Sequence, residues 1–278
     1  MPAERIAENL AFINWTVLTG LAVGSFGAVA LGRLRTAATR GYLGFTAFCA
    51  ALLAVLAVMS DGALPAALTG VGVVLDPAWD GPRRVALWIL AACAAAYVVA
   101  LARDRRAPAI ALTGLAAGGV ALAFGALAWG GGLVGAALLF IQLVLLAAAT
   151  GGVWAAMILG HWYLVTPRLG EAPLVLFARI LAAVVAAQLV ASMVWLIVGA
   201  GPAGRPALAA LSGSWALFVW LRLVVGIVFP LIVSWAAIQT ARSRSMESAT
   251  GLLYINVGTI AAGTILAAGL YFGAGLLV

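Results

Sequence analysis

The sequence has no lysine, one histidine, two cysteines and only 8% charged residues in 278. A soluble domain of this length carries about 25% charge. The shortage therefore excludes a cytosolic enzyme, a disordered chain and a nucleic-acid-binding domain. A single histidine cannot supply bis-His ligation, so the chain alone builds no bis-His haem centre. Met157 lies one turn before His161 on the same helical stretch and cannot be the opposite axial ligand. Haem is therefore not expected. Cys49 and Cys93 sit inside apolar runs, with neither redox-pair nor metal spacing. There is no Ser/His/Asp constellation, no phosphate loop and no carboxylate in mid-span. An accessory membrane protein without its own metal or catalytic centre is expected. The polar start, M-P-A-E-R-I-A-E-N-L, does not read as a cleavable signal peptide.

What is present is apolar mass. Hydrophobic residues make up 66% of the chain, and the mean hydropathy is +1.19. Crossing a bilayer takes about 20 apolar residues of helix. Eight such runs are found, at roughly 12–32, 42–60, 84–102, 109–129, 134–160, 173–199, 215–240 and 250–273. The runs do not alternate apolar with polar residues, which excludes a lipid-facing barrel. The predicted fold is an all-α, polytopic integral membrane protein with eight transmembrane helices. The longest break, 61–83, carries Asp61, Asp76 and Asp80 and reads as a loop.

The net charge of +7 would suggest an acidic partner in a soluble protein. Here alternate loops sort it. One side holds Arg33, Arg35, Arg40, Arg103, Arg105, Arg106, Arg168, Arg179, Arg242 and Arg244 against Asp104, Glu171 and Glu247. The other holds Arg5, Arg83, Arg84, Arg205 and Arg222 against Glu4, Glu8, Asp61, Asp76 and Asp80. The positive-inside rule places the first side in the cytoplasm and both termini outside a cell membrane. Most tryptophans, including Trp15, Trp129, Trp195 and Trp215, fall towards outer span ends, where an interfacial belt is expected.

An internal repeat is also read. Gly24, Ala28, Leu31 and Gly32 of the first span match Gly152, Ala156, Leu159 and Gly160 of the fifth. Thr113-Gly114-Leu115 opens the fourth span and Thr250-Gly251-Leu252 the eighth. Two tandem four-helix units follow, 1–130 and 131–278, related by parallel pseudo-symmetry. The small-residue ladders Gly20-Gly24-Ala28-Gly32 and Ala148-Gly152-Ala156-Gly160 predict a close contact between the first and fifth spans. This four-plus-four arrangement resembles, in architecture alone, membrane anchor subunits of the polysulfide-reductase type. Those bind quinone and dock onto iron–sulfur subunits.

Two places can carry chemistry. At the inner end of the fifth span, G-H-W-Y-L-V-T-P-R-L-G-E contains His161, Tyr163, Arg168 and Glu171, and Arg179 follows. A ring nitrogen that donates, accepts or protonates near neutral pH suits a quinone headgroup or proton-transfer site. The competing reading is an interfacial anchor. At the outer side Asn14, Gln142, Arg84 and Arg222 occupy comparable span ends and could hold a small polar solute. Arg222 lies within the outer leaflet, where a charge needs a partner or a wet cavity. Pro230 is expected to kink the seventh span.

The expected function is a subunit of an electron-transfer complex that anchors redox partners and interacts with quinone. A transporter or channel for a small solute, and a purely structural or assembly protein, are the alternatives. The bilayer and other protein subunits are the expected partners; nucleic acid is not.

Overall fold

A computed structural model describes all residues except 69–72, 104, 106, 167 and 168. It is all-helical, with 83% of the chain in helix. A short helix, α1 (Pro2–Glu8), precedes eight long ones: α2 (Leu10–Arg35), α3 (Arg40–Gly62), α4 (Asp80–Ala102), α5 (Pro108–Trp129), α6 (Leu133–Val165), α7 (Ala172–Val198), α8 (Ala216–Arg242) and α9 (Met246–Ala274). All of α2–α9 are long and apolar enough to cross a membrane. Pro108 and Pro173 sit in the first turns of α5 and α7, where a missing N–H costs nothing. The Thr39 hydroxyl accepts from the Tyr42 N–H and caps α3.

The most extensive helix–helix contact joins α2 to α6. A Cβ on Gly24 would fall on the Ala147 carbonyl, and one on Gly151 would fall on the Gly24–Ser25 backbone. Between apolar helices in lipid there is little hydrophobic gain from pairing. Close van der Waals approach through small residues supplies the attraction instead. The predicted contact of first and fifth spans is thus present, but the α6 face differs by one position. Ala147 and Gly151 meet α2, whereas Gly152 has nothing within 4 Å of a built Cβ. A one-residue step turns a helix by about 100°, which the ladder in the sequence does not resolve.

The remaining helices ring this crossing. α2, α3, α4 and α5 contact one another in a closed circuit, as do α6, α7, α8 and α9. α9 also packs on α2, and α5 on α6. One end of the bundle carries Arg33, Arg35, Arg103, Arg105, Arg242 and Arg244, and the other carries Asp61, Asp76 and Asp80. Trp15, Trp129, Trp195 and Trp215 are buried, so these tryptophans are core residues and not an interfacial belt. Trp88, Trp220 and Trp235 are exposed.

The crossing makes a prediction. Gly151→Leu should destabilise the protein by about 3 kcal/mol, the upper end for overpacking, because backbone and not a flexible side chain opposes the new atoms. Gly152→Ala should be near neutral. Thermal unfolding in mild detergent reads both, and equal midpoints would remove the crossing from its central place.

Candidate functional site

Three polar constellations are described, and five of the candidate residues, Arg84, Gln142, Arg222, Tyr163 and Glu171, fall among them. The first lies at the aspartate end. Asp61 was expected in a loop. It is instead the penultimate residue of α3 and is buried. Its carboxylate accepts from Arg83 Nε at 2.5 Å, Trp15 Nε1 at 2.9 Å and Arg84 Nε at 3.1 Å. Arg83 is 1% exposed, lies over the Trp129 ring at 4.8 Å and pairs with Asp80 at 3.0 Å. Arg84, the neighbour singled out from the sequence, has a side chain 45% exposed. Trp15 and Trp129 meet edge to face with centroids 4.6 Å apart, and Phe12 and Phe272 close the cage. Asn14 points elsewhere and donates to the Ser60 hydroxyl at 3.2 Å. Asp61 ties α2, α3 and α4 together, and this cluster holds structure.

The second constellation surrounds Arg222, six residues into α8 and 2% exposed. The register after it is π-helical over Val224–Val228. Pro230 explains the local chemistry. It has no N–H to give the Gly226 carbonyl four residues back, and Arg222 Nη1 donates to that oxygen at 3.1 Å. Nη2 donates to Gln188 Oε1 at 3.0 Å and Nε to the Val278 main-chain oxygen at 3.5 Å. Gln188 in turn donates to the Leu145 carbonyl at 2.9 Å. Gln142 and Ser192 line the same gap, and Gln142 Oε1 and Ser192 Oγ have no hydrogen-bond partner among the described residues. The gap has no room for a water-sized sphere. Gln142 and Arg222 are therefore brought together, while Arg84 belongs to the first cluster and Asn14 to neither. Gln188 and Ser192 complete the set, and their helical spacing along α7 was the available signal.

The third lies at the arginine-rich end. A cleft of about 560 Å³ opens between the end of α6 and the turn from α8 to α9. Tyr163, Leu164 and Leu169 form one wall, and Arg244, Ser245, Met246 and Glu247 the other. The Tyr163 hydroxyl donates to the Gly170 carbonyl at 2.5 Å. Glu171 pairs with Arg244 at 3.7 Å. Of the residues expected here, Tyr163 lines the cleft and Glu171 touches its rim through Arg244. His161 is exposed and does not line the cleft, and Arg179 is exposed on α7. Arg168 lies outside the described residues.

Arg244 is the residue that sequence reasoning missed. Its φ of 59° is left-handed, at the helix-ending position that normally takes glycine. The Ser245 N–H returns to the Thr240 carbonyl at 2.9 Å and the Arg244 N–H to Ala241 at 3.1 Å. Strain of this kind at a non-glycine residue concentrates at functional sites. The sequence signal, R-S-R-S-M-E-S, was visible only as charge.

Two substitutions separate these roles. Asp61→Ala should cost about 3–5 kcal/mol, since it removes the buried carboxylate that Arg83 and Trp15 bond and leaves Arg83 only the half-exposed Asp80. Arg84→Ala should cost far less. Unfolding midpoints in detergent test the pair, and a tolerant Asp61 would dismiss the structural assignment. Comparison with known protein families, with curated proteins and with solved structures returns no match.

Proposed function

We propose that the chain is an integral-membrane subunit of an electron-transfer (respiratory) complex, and that it anchors its partner subunits and binds quinone or quinol in the cleft at its arginine-rich end. The observation that carries this reading is the cleft itself. Leucine and methionine side chains offer an apolar seat for a ring and the start of a tail. A guanidinium, a phenol and two carboxylates stand at its edge, as a ligand with two carbonyl oxygens and exchangeable protons requires. Arg244 takes the place first given to His161 as donor to a carbonyl oxygen. Glu171 and Glu247 are the proton-exchanging groups nearest that donor. The positive-inside rule puts this end in the cytoplasm, where redox subunits would dock. Two four-helix units, 1–130 and 131–278, are part of the same proposal. Support comes from the two closed circuits of contacts, and from α9 on α2 standing opposite α5 on α6.

A small-solute transporter is the second reading, favoured by the unpartnered Gln142 and Ser192 beside Arg222. Solute flux in liposomes that falls on Gln142→Ala would select it.

Arg244 gives the test that folding effects cannot mimic. Arg244→Gly relieves a left-handed arginine and should stabilise the fold by about 1 kcal/mol, while removing the donor from the cleft. Wild-type protein purified in mild detergent should carry quinone in its lipid extract by mass spectrometry. Arg244→Gly should unfold at a higher temperature and carry severalfold less. Wild-type protein without quinone, or a variant that retains it in full, would reject the assignment.

A further inference from the structure

A second cavity lies apart from these clusters. It holds about 290 Å³ between α2, α5, α6 and α7. Its floor is Gly24, Gly27 and Ala28 of α2 with Ala147, Ala148 and Gly152 of α6. Leu115, Gly119 and Leu122 of α5 form one side, and Phe177, Ile180, Leu181 and Val184 of α7 the other. α5 and α7 make no extensive contact with each other, and Val144 and Ile180 on the rim are exposed. The cavity is therefore a lateral groove, open to the side of the bundle.

No lining residue has a polar side chain. A hydrated solute would lose its hydrogen bonds there without replacement. A hydrocarbon chain loses none and gains dispersion contact on three sides. The groove also has a marked end. Gly24, Ala28 and Leu31 of the floor continue, at the spacing of one helix face, to Arg35 in the last turn of α2. Arg35 is exposed and has no hydrogen-bond or ion-pair partner among the described residues. The loop from α4 to α5, at the same end, carries three arginines against one aspartate.

We propose that this groove is a binding site for one anionic phospholipid. A single acyl chain lies between α5 and α7 on the glycine floor, and the phosphate sits against Arg35. Cationic side chains just beyond an apolar inter-helical pocket are the arrangement that selects anionic headgroups. The site is separate from the quinone cleft, which is built from the far end of α6 and the α8–α9 turn.

The experiment is native mass spectrometry of the whole protein in mild detergent, with phosphatidylglycerol and phosphatidylcholine as probes. Wild-type protein should retain phosphatidylglycerol and release phosphatidylcholine. Gly152→Phe and Gly119→Leu place atoms in the groove where a Cβ meets nothing within 4 Å, so both should fold and lose the lipid. Gly258→Leu, an equally unobstructed position on the exposed face of α9, should keep it. Arg35→Gln should weaken phosphatidylglycerol retention about fivefold, the effect of one basic residue at a membrane surface, and leave phosphatidylcholine unchanged. Equal retention of the two lipids by wild type, lipid retained by both groove-filling variants, or quinone lost from them in place of phospholipid would each overturn the proposal.

Discussion

The approach of α2 to α6 at Gly24 and Gly151 is the contact around which the bundle is arranged. In lipid, two apolar helices gain nothing by hiding from solvent, so they pair only where their surfaces fit to within van der Waals distance. Two glycines whose backbones touch provide that fit, and no larger residue can stand at either position. The same crossing creates the lateral groove. With Ala147 and Gly151 turned onto α2, the next residue, Gly152, is carried about 100° round the helix and becomes floor instead of contact. Packing and cavity are two faces of one register.

The polar residues follow a second constraint, that a charge inside the bundle must find hydrogen bonds there. The two buried arginines meet it differently. Arg83 is neutralised by Asp61 and seated against the electron-rich faces of Trp15 and Trp129. Removing Asp61 would leave the buried Arg83 only the half-exposed Asp80, which marks the cluster as structural. Arg222 has no side-chain carboxylate among its bonded groups. Its side-chain partner is the neutral Gln188, and another is the Gly226 carbonyl, which Pro230 has no N–H to bond. A proline that would ordinarily break a helix has supplied the oxygen that a buried cation needs. The π-helical turn between them sets the spacing that lets the guanidinium reach it.

The eight helices were legible because each run is long, apolar and bounded by Pro, Gly or Arg, and their ends lie within a few residues of those found. The small-residue ladder also announced the central contact, since glycine every fourth residue has few other uses in lipid. Three features were not legible. Which face of α6 carries the contact depends on one residue of register, beyond what a ladder can specify. Asp61 read as loop because the composition of 61–83 is that of a loop, yet its helix runs two residues further, to Gly62, and brings the carboxylate to Arg83. The arginine-rich site was half visible. Tyr163 and Glu171 lie within one motif, but their cleft partner, Arg244, is about 80 residues away in sequence and is marked by a backbone dihedral that no composition records.

The two ends of the bundle are built to opposite purposes. At the aspartate end, the Asp61 ion pairs, four aromatic rings packed mostly edge to face and the Tyr271 hydroxyl donating to the Trp129 carbonyl at 2.9 Å close the space between α2, α3, α4, α5 and α9. At the arginine-rich end the ion pair between Glu171 and Arg244 is long and exposed, and a cleft lies open. A ligand from the bilayer or from the adjoining water has less to displace there. An exposed ion pair contributes under about 1 kcal/mol, whereas breaking the buried one leaves a buried charge with only a part-exposed partner. Under the proposed function, locking one end and leaving the other loosely held would let the protein keep its fold while its open end exchanges quinone. On that proposal the position of the open cleft, more than the identity of any single residue, is what ties this architecture to ligand exchange at the arginine-rich face.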